Sequence, residues 1–385
     1  MPPHPDRRRA PPFRAAAPAL ALGLALALAA LPAGGVRADE AAKPEGTGAA
    51  AGAKPAPFEP QRTLTRHTLA LPDGDLAYTA VAEFLPLRDE GKDVPAARVF
   101  TTTYTLDTPP AAAGGAAAGR PVAFVFNGGP GAASAYLHMG ALGPRMVRFG
   151  SDGALPRPPA PVVDNPDTWL RFTDLVFIDP VGTGFSRTTG DGEGSETRYW
   201  NIEADAESQA EVVRLWLARN GRWDSPKFLV GESYGGFRIA RVAGTLFDGP
   251  GVAVNGLIMV SPVVDFGTIG DDETDLLAWA LRLPSFAASA AALGKAPGTP
   301  AEAAARAEAF ALGDYIAGLA SLDLGGLDRA SALFATTAAL TGLPPELVER
   351  RRGMIPIGVF AREIMRPAGL VASIYDGTFL GPDPD

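Results

Sequence analysis

An α/β fold built on a mixed, mostly parallel sheet is predicted by three features of this 385-residue chain. First, short apolar segments that suit buried strands alternate with segments of helical length between residues 122 and 260. Second, a Gly-Glu-Ser-Tyr-Gly sequence at residues 231–235 joins one of these strands to the following helix. Third, residues 270–370 contain consecutive helical segments rich in Ala and Leu. We therefore expect helices on both faces of the sheet and a separate helical insertion.

The first 60 residues are not expected to join this fold. Residues 1–38 combine a basic start, an apolar run and small residues before a cleavage point near Ala38, which is typical of a bacterial-type secretory signal peptide. The alternative is an uncleaved membrane anchor, but the apolar run contains Pro18 and is short for a membrane span. Residues 39–60 are rich in Ala, Gly and Pro and predict a disordered linker. We expect a secreted or periplasmic protein that is not inserted in the membrane after cleavage.

The composition argues against several classes of function. The chain has no Cys, which rules out disulfides, thiolate metal sites and a cysteine nucleophile, and its three His argue against a histidine-rich metal site. Residues 1–38 carry five Arg and one Asp, so their removal changes the formal net charge from −9 to −13. An acidic protein repels the phosphate backbone of nucleic acids. We expect no metal, no cofactor and no nucleic-acid partner, and the sequence carries no signal of oligomeric state.

The folded part is expected to open with antiparallel strands. Residues 63–106 alternate apolar and polar side chains, and turn signals at residues 72–74 and 89–91 divide them into separate strands. The buried strands that follow are predicted at residues 122–126, 175–178, 228–230 and 257–260, and the helices between them at residues 202–219 and 237–247. Together these elements form the predicted core, residues 61–265.

Ser233 is the candidate nucleophile. It lies on a sharp turn between the predicted strand at residues 228–230 and the predicted helix at residues 237–247. A serine on such a turn is pushed out of the sheet with its Oγ exposed, and the glycines at positions 231 and 235 are needed because a side chain there would collide with the crowded backbone. This is the geometry of the nucleophile in an α/β hydrolase.

The helical segments that follow the core predict a lid. Residues 266–370 form this predicted lid or insertion, and residues 371–385 are expected to begin a return to the core. Prolines are expected to break the helices at Pro284, Pro297, Pro300, Pro344 and Pro345. Because an α/β-hydrolase sheet normally continues after its lid, we expect C-terminal strands to be missing and this sequence to be a fragment of a longer protein.

A second motif lies at residues 127–134, Asn-Gly-Gly-Pro-Gly-Ala-Ala-Ser, directly after the predicted strand at residues 122–126. Adjacent glycines after a strand let backbone N–H groups converge where a carbonyl oxygen would sit, which predicts an oxyanion site. The second donor should be the N–H of Tyr234, the residue after the nucleophile. The alternative is a phosphate-binding glycine loop, but no Lys-Ser/Thr pair follows and no Gly-x-Gly-x-x-Gly opens a helix.

A third motif, Asp-Pro-Val-Gly-Thr-Gly-Phe-Ser at residues 179–186, ends the next strand. We interpret Asp179 as holding this tight turn and not as a catalytic acid. The three motifs, in this order and at similar spacing, resemble the serine carboxypeptidase family over residues 95–265. The lid and tail resemble a bacterial branch of that family.

The resemblance implies an α/β hydrolase that releases C-terminal residues from peptides through an acyl-enzyme intermediate. By position, it assigns Ser233 as the nucleophile and the N–H groups of Gly129 and Tyr234 as the oxyanion donors. The groups that would hold the terminal carboxylate of the substrate are then Asn127, the Gly128 N–H and Glu232. The implied substrates are peptides with a free C-terminus.

Glu232 beside a bound carboxylate would place two like charges in one site. One of the pair must take up a proton, so binding should favour acidic pH. Such a pair accepts a free C-terminus and handles an internal peptide bond poorly. The alternative is that Glu232 only caps the turn. The family often has a second acidic residue where this chain has Ala141, which weakens strict exopeptidase specificity.

The expected Asp and His of the catalytic triad are not present in this chain. No histidine follows His138, which sits just past the glycine loop in the wrong chain order for a base, and His67 is predicted to be a surface residue. Asp265 lies where some α/β hydrolases place their acid, but it has no histidine to orient. An unactivated serine hydroxyl is a poor nucleophile. We therefore expect the chain as written to be nearly inactive and its full-length parent to be active.

Two other hypotheses about function remain open. An esterase or acyltransferase on the same scaffold would keep the same motifs and change only the acceptor. A non-catalytic envelope binding protein would keep the site without its base.

Overall fold

A computed structural model describes residues 61–89, 91–107, 119–150, 158–190, 195–322 and 327–384. The predicted signal peptide and linker lie outside the described residues. The described residues fall into two compact units, one made up of those between positions 61 and 149 and between 158 and 278, and the other containing those from 279 to 384.

The first unit is built on a mixed sheet. Its strands are β1 Arg62–Leu69, β2 Leu76–Arg88, β3 Pro95–Leu106, β4 Val122–Phe126, β5 Arg145–Val147, β6 Val162–Asp164, β7 Asp174–Ile178, β8 Arg187–Thr188, β9 Lys227–Glu232 and β10 Gly256–Val260. The order across the sheet is β1-β2-β3-β7-β4-β9-β10, with β8 beside β3, while β5 and β6 pair separately. The strands from β1 to β3 are antiparallel, β7 is antiparallel to β3, and β7, β4, β9 and β10 run parallel. The predicted mixed, mostly parallel sheet, with antiparallel strands before parallel ones, is confirmed.

Helices in this unit are α1 Ala135–Leu137, α2 Ile202–Asn220 and α3 Tyr234–Asp248. The α2 helix begins where the Asn201 side chain accepts a hydrogen bond from the Ala204 N–H at 2.9 Å, and it ends at Gly221 in the left-handed conformation. Both α2 and α3 pack against one face of the sheet. The buried cluster on that face includes Phe124, Val176, Leu229, Trp216 and Ile239.

The other face of the sheet carries a second buried cluster. It includes Val125, Phe177 and Val230, which alternate along the strands with residues of the first cluster, and Leu137 from α1. Every residue of β4 and β7 is buried. Because both faces of these strands are covered, their sequences are mostly continuous apolar runs without alternation.

The second unit is mostly helical, as the composition of residues 270–370 predicts. Its elements are α4 Leu276–Ala292, which begins at the end of the first unit, α5 Pro300–Phe310, α6 Ile316–Ala320, α7 Leu327–Thr341, α8 Pro345–Arg350, α9 Ile357–Glu363 and the strand pair β11 Leu370–Ala372 and β12 Leu380–Pro382. Phe286 stacks on Phe360 at 4.3 Å between ring centroids in its core. The break expected at Pro284 is wrong, because Pro284 lies inside α4.

No helix in the part of the chain that the structure describes is both long enough and apolar enough to cross a membrane.

A buried ion cluster joins the starts of the central strands. The Asp174 carboxylate, at the start of β7, accepts hydrogen bonds from Arg120 Nε at 2.8 Å and from Arg222 Nη1 at 2.6 Å. It also accepts from the Leu106 N–H at 3.2 Å, at the end of β3. The side chains of Asp174, Arg120 and Arg222 are no more than 7% exposed. One carboxylate therefore pairs with two guanidinium groups and connects groups that flank three strands.

Asp174→Ala is expected to destabilise the protein strongly. Removal of the carboxylate leaves two buried guanidinium groups without their counter-charge, a change that costs about 3–5 kcal/mol of unfolding free energy. Urea denaturation followed by circular dichroism measures it. Asp73→Ala is the matched control, since Asp73 forms an exposed ion pair with Arg171, and it should change the midpoint little. Equal effects of the two variants would contradict the role of Asp174.

Candidate active site

Ser233 occupies a strained turn between β9 and α3. Its backbone has φ 58° and ψ −123°, a conformation that costs free energy for a residue with a side chain. A Cβ at Gly231 would lie 2.1 Å from the Gly235 carbonyl oxygen, and a Cβ at Gly235 would lie 2.7 Å from the Phe126 carbonyl oxygen. For this reason only glycine fits at positions 231 and 235, two residues before and two residues after Ser233.

Backbone hydrogen bonds from the end of β10 hold the turn. The Ser233 N–H donates to the Val260 carbonyl at 3.0 Å, and the Ser233 carbonyl accepts from the Val263 N–H at 3.1 Å and from the Gly236 N–H at 2.9 Å. Ser261, between these partners, also has a positive φ of 43°. The strain at Ser233 is therefore compensated by bonds to a neighbouring strand and not by its own side chain.

The Ser233 side chain is available for chemistry. The residue is half-buried, and among the described residues its hydroxyl has no hydrogen-bond partner. The hydroxyl of Ser233, the predicted nucleophile, is thus open, and within the same residues no base is hydrogen-bonded to it.

The glycine loop lies directly against this turn. A Cβ at Gly128 would lie 2.7 Å from the Tyr234 amide nitrogen and 2.9 Å from the Ser233 Cβ. Gly129 has φ 103°, and a Cβ there would lie 2.7 Å from the Gly131 nitrogen. The structure therefore brings the glycine loop and the Tyr234 amide, the two predicted sources of oxyanion donors, together beside Ser233.

The three groups assigned to carboxylate binding also lie together. Asn127 is fully buried, and its Nδ2 donates to Glu232 Oε2 at 3.2 Å. The Asn127 Oδ1 accepts from the Leu137 N–H at 3.1 Å, which fixes the orientation of the side-chain amide. Gly128 is buried, Glu232 is half-buried, and the N–H groups of Gly128 and Gly129 have no partner among the described residues. The unpaired N–H groups of buried Gly128 and exposed Gly129, next to a carboxylate, form a polar site that a ligand can complete.

A buried ion pair at this site was not predicted from the sequence. Arg238 Nε donates to Asp205 Oδ2 at 2.7 Å, and the guanidinium lies 5.0 Å above the centre of the Tyr234 ring. Tyr234 is also hydrogen-bonded to the Asp205 carboxylate, and burial raises the pKa of Asp205. The available signal was the position of Arg238 four residues after Tyr234, on the same side of a helix.

A cleft of about 580 Å³ borders the glycine loop and Tyr234. This volume lies in the range of small-molecule sites. Its walls are largely apolar and aromatic, and they include Val181, Tyr199, Trp200, Ile202, Tyr234 and Phe266. Asp205 and Arg238 also line it. The cleft is therefore an apolar space with one buried ion pair, adjacent to the nucleophile turn.

Asp179 holds a turn, as interpreted from the sequence. Its carboxylate accepts hydrogen bonds from the backbone N–H groups of Ser134, at 2.9 Å, and Phe185, and burial raises its pKa. Asp265 is exposed and accepts from the Gly267 N–H at 3.0 Å at the start of a short 3-10 turn. His67 is exposed on β1 and stacks on Tyr78.

His138 belongs to the core and not to the nucleophile. Its Nε2 is hydrogen-bonded to the Tyr104 hydroxyl at 2.7 Å, and its ring stacks on Phe177 at 4.3 Å between centroids. Phe177 lies on the face of the sheet opposite α2 and α3. Burial lowers the pKa of His138 from 6.5 to about 4. A neutral, buried imidazole with these partners is not placed to deprotonate Ser233.

No group of three or more potential metal ligands of the His, Cys, Asp or Glu type occurs among the residues that the structure describes.

Comparison with known proteins supports the resemblance. A sequence model of the serine carboxypeptidase family matches residues 112–266. The pheromone-processing carboxypeptidase kex1 of Sclerotinia sclerotiorum is 30% identical over 126 residues, 32% of this chain and 18% of that protein. The carboxypeptidase sxa2 of Schizosaccharomyces pombe is 28% identical over 132 residues, 34% of this chain and 23% of that protein. The matches thus span about a fifth of the length of these curated relatives.

Solved structures with partial similarity include the prohormone-processing carboxypeptidase Kex1(delta)p of Saccharomyces cerevisiae. It has a TM-score of 0.42 and 19% identity, and the match covers 69% of this chain and 53% of that chain. The peroxisomal α/β hydrolase Lpx1 of the same organism has a TM-score of 0.26 and 16% identity, and covers 54% of this chain and 45% of that chain.

The low pKa of His138 predicts an acid-dependent loss of stability. The unfolded chain binds a proton at His138 near pH 6.5, whereas the folded protein does so only near pH 4. The contribution of His138 to the free energy of unfolding is therefore fully present above pH 6.5. It decreases as the pH drops towards 4, by at most about 1.4 kcal/mol per pH unit. Urea denaturation of the wild type and of His138→Gln, which keeps a hydrogen-bonding group near Tyr104, measures it between pH 7 and 4.5. A wild-type curve parallel to that of the variant would contradict this account.

Proposed function

We propose that this chain carries the nucleophile and the carboxylate-binding site of a serine carboxypeptidase that releases C-terminal residues from peptides. The observation that carries the proposal is the joint arrangement of Asn127 and Glu232, hydrogen-bonded to each other, with Gly128 packed against the Ser233 turn. The family match over residues 112–266 covers all of these residues.

The proposed reaction starts with attack of Ser233 Oγ on the last peptide carbonyl of the substrate. The carbonyl oxygen, which becomes negatively charged, is stabilised by the N–H groups of Gly129 and Tyr234. Collapse of the tetrahedral intermediate passes the proton given up by the Ser233 hydroxyl to the leaving amine, releases the C-terminal residue and leaves an acyl-enzyme ester on Ser233. Water then hydrolyses this ester, which frees the shortened peptide acid and restores the hydroxyl. The apolar cleft beside Tyr234 is suited to a large side chain of the substrate.

Selection for a free C-terminus is assigned to Asn127, the Gly128 N–H and Glu232. The amide of Asn127 and the free N–H of Gly128 supply donors for a carboxylate. Glu232 adds a second acidic group, and one proton shared between it and the substrate carboxylate removes the repulsion between them. Binding is therefore expected to strengthen as the pH falls.

Activation of Ser233 needs a base that the described residues do not place beside it. Binding and an oxyanion site alone support a rate only on the order of 10³–10⁴ above the reaction in water. We propose that residues 39–385 by themselves have such a residual activity and that residues 1–38 direct export as a signal peptide. An ordinary enzymatic rate from residues 39–385 would contradict this.

An esterase or acyltransferase is the second candidate, and Ala141 favours it. The position is one where the resemblance often places an acidic residue. Here the Ala141 carbonyl accepts a hydrogen bond from Asn165 Nδ2 at 2.7 Å, and the side chain has no charge to offer a substrate. A non-catalytic binding protein is the third, since it would need only the polar site. Peptides with free and amidated C-termini distinguish the carboxypeptidase from the esterase or acyltransferase, because only the carboxypeptidase requires the free acid.

Ser233→Ala is expected to abolish the residual peptide hydrolysis proposed for residues 39–385, because no acyl-enzyme can form. The release of the last residue from a blocked dipeptide measures the loss. Ser321→Ala is the matched control, since the Ser321 hydroxyl bonds the Ala317 carbonyl in the helical unit, and it should retain full activity. In addition, Ser233→Cys gives this cysteine-free chain a single thiol. That thiol should react with iodoacetamide in the folded protein, and a thiol that reacts only after denaturation would contradict an open site.

Glu232→Gln is expected to lower the preference for a free C-terminus over an amide by about tenfold, the scale of one charge-assisted hydrogen bond. It should also flatten the rise in affinity towards acidic pH, because glutamine cannot share the proton. Binding of a blocked dipeptide and of its amide to the purified chain, measured by calorimetry between pH 4.5 and 7, tests both effects. Glu207→Gln changes an exposed carboxylate on α2 and serves as the control. An unchanged preference and pH profile in Glu232→Gln would count against the shared-proton arrangement.

A further inference from the structure

We propose that Arg238 is a positioning residue that aims the Gly128 N–H at the carboxylate of the substrate. The proposal rests on the function proposed above, because it assigns a role to Arg238 within the same site. It concerns a residue that touches no reacting atom and acts through the backbone of Asn127.

The contacts of Arg238 converge on the glycine loop. Its Nη1 donates to the Asn127 carbonyl oxygen at 2.7 Å, and its Nε donates to Asp205 Oδ2 at 2.7 Å. The side chain is only 2% exposed, and that of Asp205 is 12% exposed. Two donors of one planar guanidinium thus connect the first turn of α2 to the end of β4.

The bond to the Asn127 carbonyl fixes a peptide plane that belongs to the site. The peptide bond between Asn127 and Gly128 is not among the cis bonds of the described chain, so its C=O and N–H point in opposite directions. A guanidinium that holds the carbonyl oxygen on one side therefore directs the Gly128 N–H to the other side. Gly128 is buried and this N–H has no partner among the described residues. The orientation of the N–H is therefore fixed while the group stays available to a ligand.

The side chain of Asn127 is fixed independently. Its Oδ1 accepts from the Leu137 N–H, which leaves Nδ2 directed towards Glu232. Arg238 controls the backbone of Asn127 and Leu137 controls its side chain. The two assigned carboxylate donors, Asn127 Nδ2 and the Gly128 N–H, consequently depend on different partners, and loss of Arg238 should disturb the second donor more than the first.

Asp205 and Tyr234 keep the guanidinium in this orientation. The Asp205 carboxylate compensates the buried positive charge, and the Tyr234 ring lies below the guanidinium plane at 5.0 Å. A lysine can offer its ammonium to Asp205 but lacks the planar pair of donors that reaches two acceptors at once. Arg238→Lys should therefore keep the charge pair and lose the directed bond to Asn127.

A purely structural ion pair makes a different prediction. If Arg238 only stabilised the packing of α2 on α3, its replacement would lower stability and the fraction of folded protein. Binding of acid and amide peptides would then fall together, and their ratio would not change. The ratio of the two affinities is therefore the readout that separates positioning from stability.

The first experiment needs no ligand. Amide hydrogen exchange of Gly128 and Gly129, followed by NMR, is compared in the wild type, Arg238→Met and Arg241→Met. Arg241 lies on the same helix, is half exposed and pairs with Glu203 at 3.8 Å, so it is the matched control. Exchange at Gly128 should be about tenfold faster in Arg238→Met than in the control, since one hydrogen bond that orders the peptide is lost. An unchanged exchange rate at Gly128 in a folded Arg238→Met would overturn the proposal.

The second experiment measures recognition. Affinities of the full chain for a blocked dipeptide with a free C-terminus and for its amide are compared in the same variants at pH 5. Arg238→Met should lower the acid-to-amide affinity ratio by about tenfold, whereas Arg241→Met should leave it unchanged. If Arg238→Met does not fold, Arg238→Lys carries both measurements, and a wild-type ratio in a folded Arg238→Lys would overturn the proposal.

The two experiments separate the two claims. A wild-type chain that binds acid and amide equally would contradict the proposed function, and the exchange rate at Gly128 would then judge the role of Arg238 alone. A wild type that prefers the acid, combined with an unchanged ratio in Arg238→Met, would contradict the role of Arg238 and leave the carboxypeptidase proposal intact.

Discussion

The whole site depends on backbone packed directly against backbone between the end of β4 and the turn at Ser233. A Cβ at Gly128 would meet the Tyr234 nitrogen at 2.7 Å, and a Cβ at Gly235 would meet the carbonyl oxygens of Phe126 and Asn127 within 2.9 Å. Because no side chain fits between them, the loop that carries Asn127 and the amide of Tyr234 share one small volume. A methyl group at either glycine would push the glycine loop away from the Ser233 turn.

The polar groups at the two ends of the parallel strands differ in whether they have hydrogen-bond partners. At their starts, Asp174 is saturated by two guanidinium groups and a backbone N–H. At their carboxyl ends, the Ser233 hydroxyl and the Gly128 N–H have no partner among the described residues. Unpaired polar groups in a partly buried site cost free energy, and the saturated cluster at the other end stabilises the scaffold that holds them. This division follows the general rule that open α/β sheets bind ligands beyond the carboxyl ends of their strands.

Local sequence predicted the parts of the structure that local chemistry determines. Glycine spacing around Ser233 is dictated by a backbone conformation within five residues, and the apolar runs of β4 and β7 follow from burial on both faces. The pair of Asp205 and Arg238 could not be predicted in this way, because the two residues meet only through the packing of α2 against α3. The helix break expected at Pro284 does not occur, because a proline within an otherwise apolar helix is tolerated when packing outweighs the lost hydrogen bond.

Proximity in the chain does not make His138 part of the chemistry. The Leu137 N–H bonds the side chain of Asn127 and therefore belongs to the site, whereas the ring of the next residue turns to Phe177 and the Tyr104 hydroxyl. Burial there lowers the pKa of His138 and favours the neutral imidazole, and its Nε2 is already hydrogen-bonded to Tyr104. Moving His138 to Ser233 would require breaking that bond and exposing the aromatic cluster around Tyr104. The half-buried Ser233 hydroxyl itself has no hydrogen-bond partner among the described residues, so under the proposed function the position beside it is where a base would have to lie.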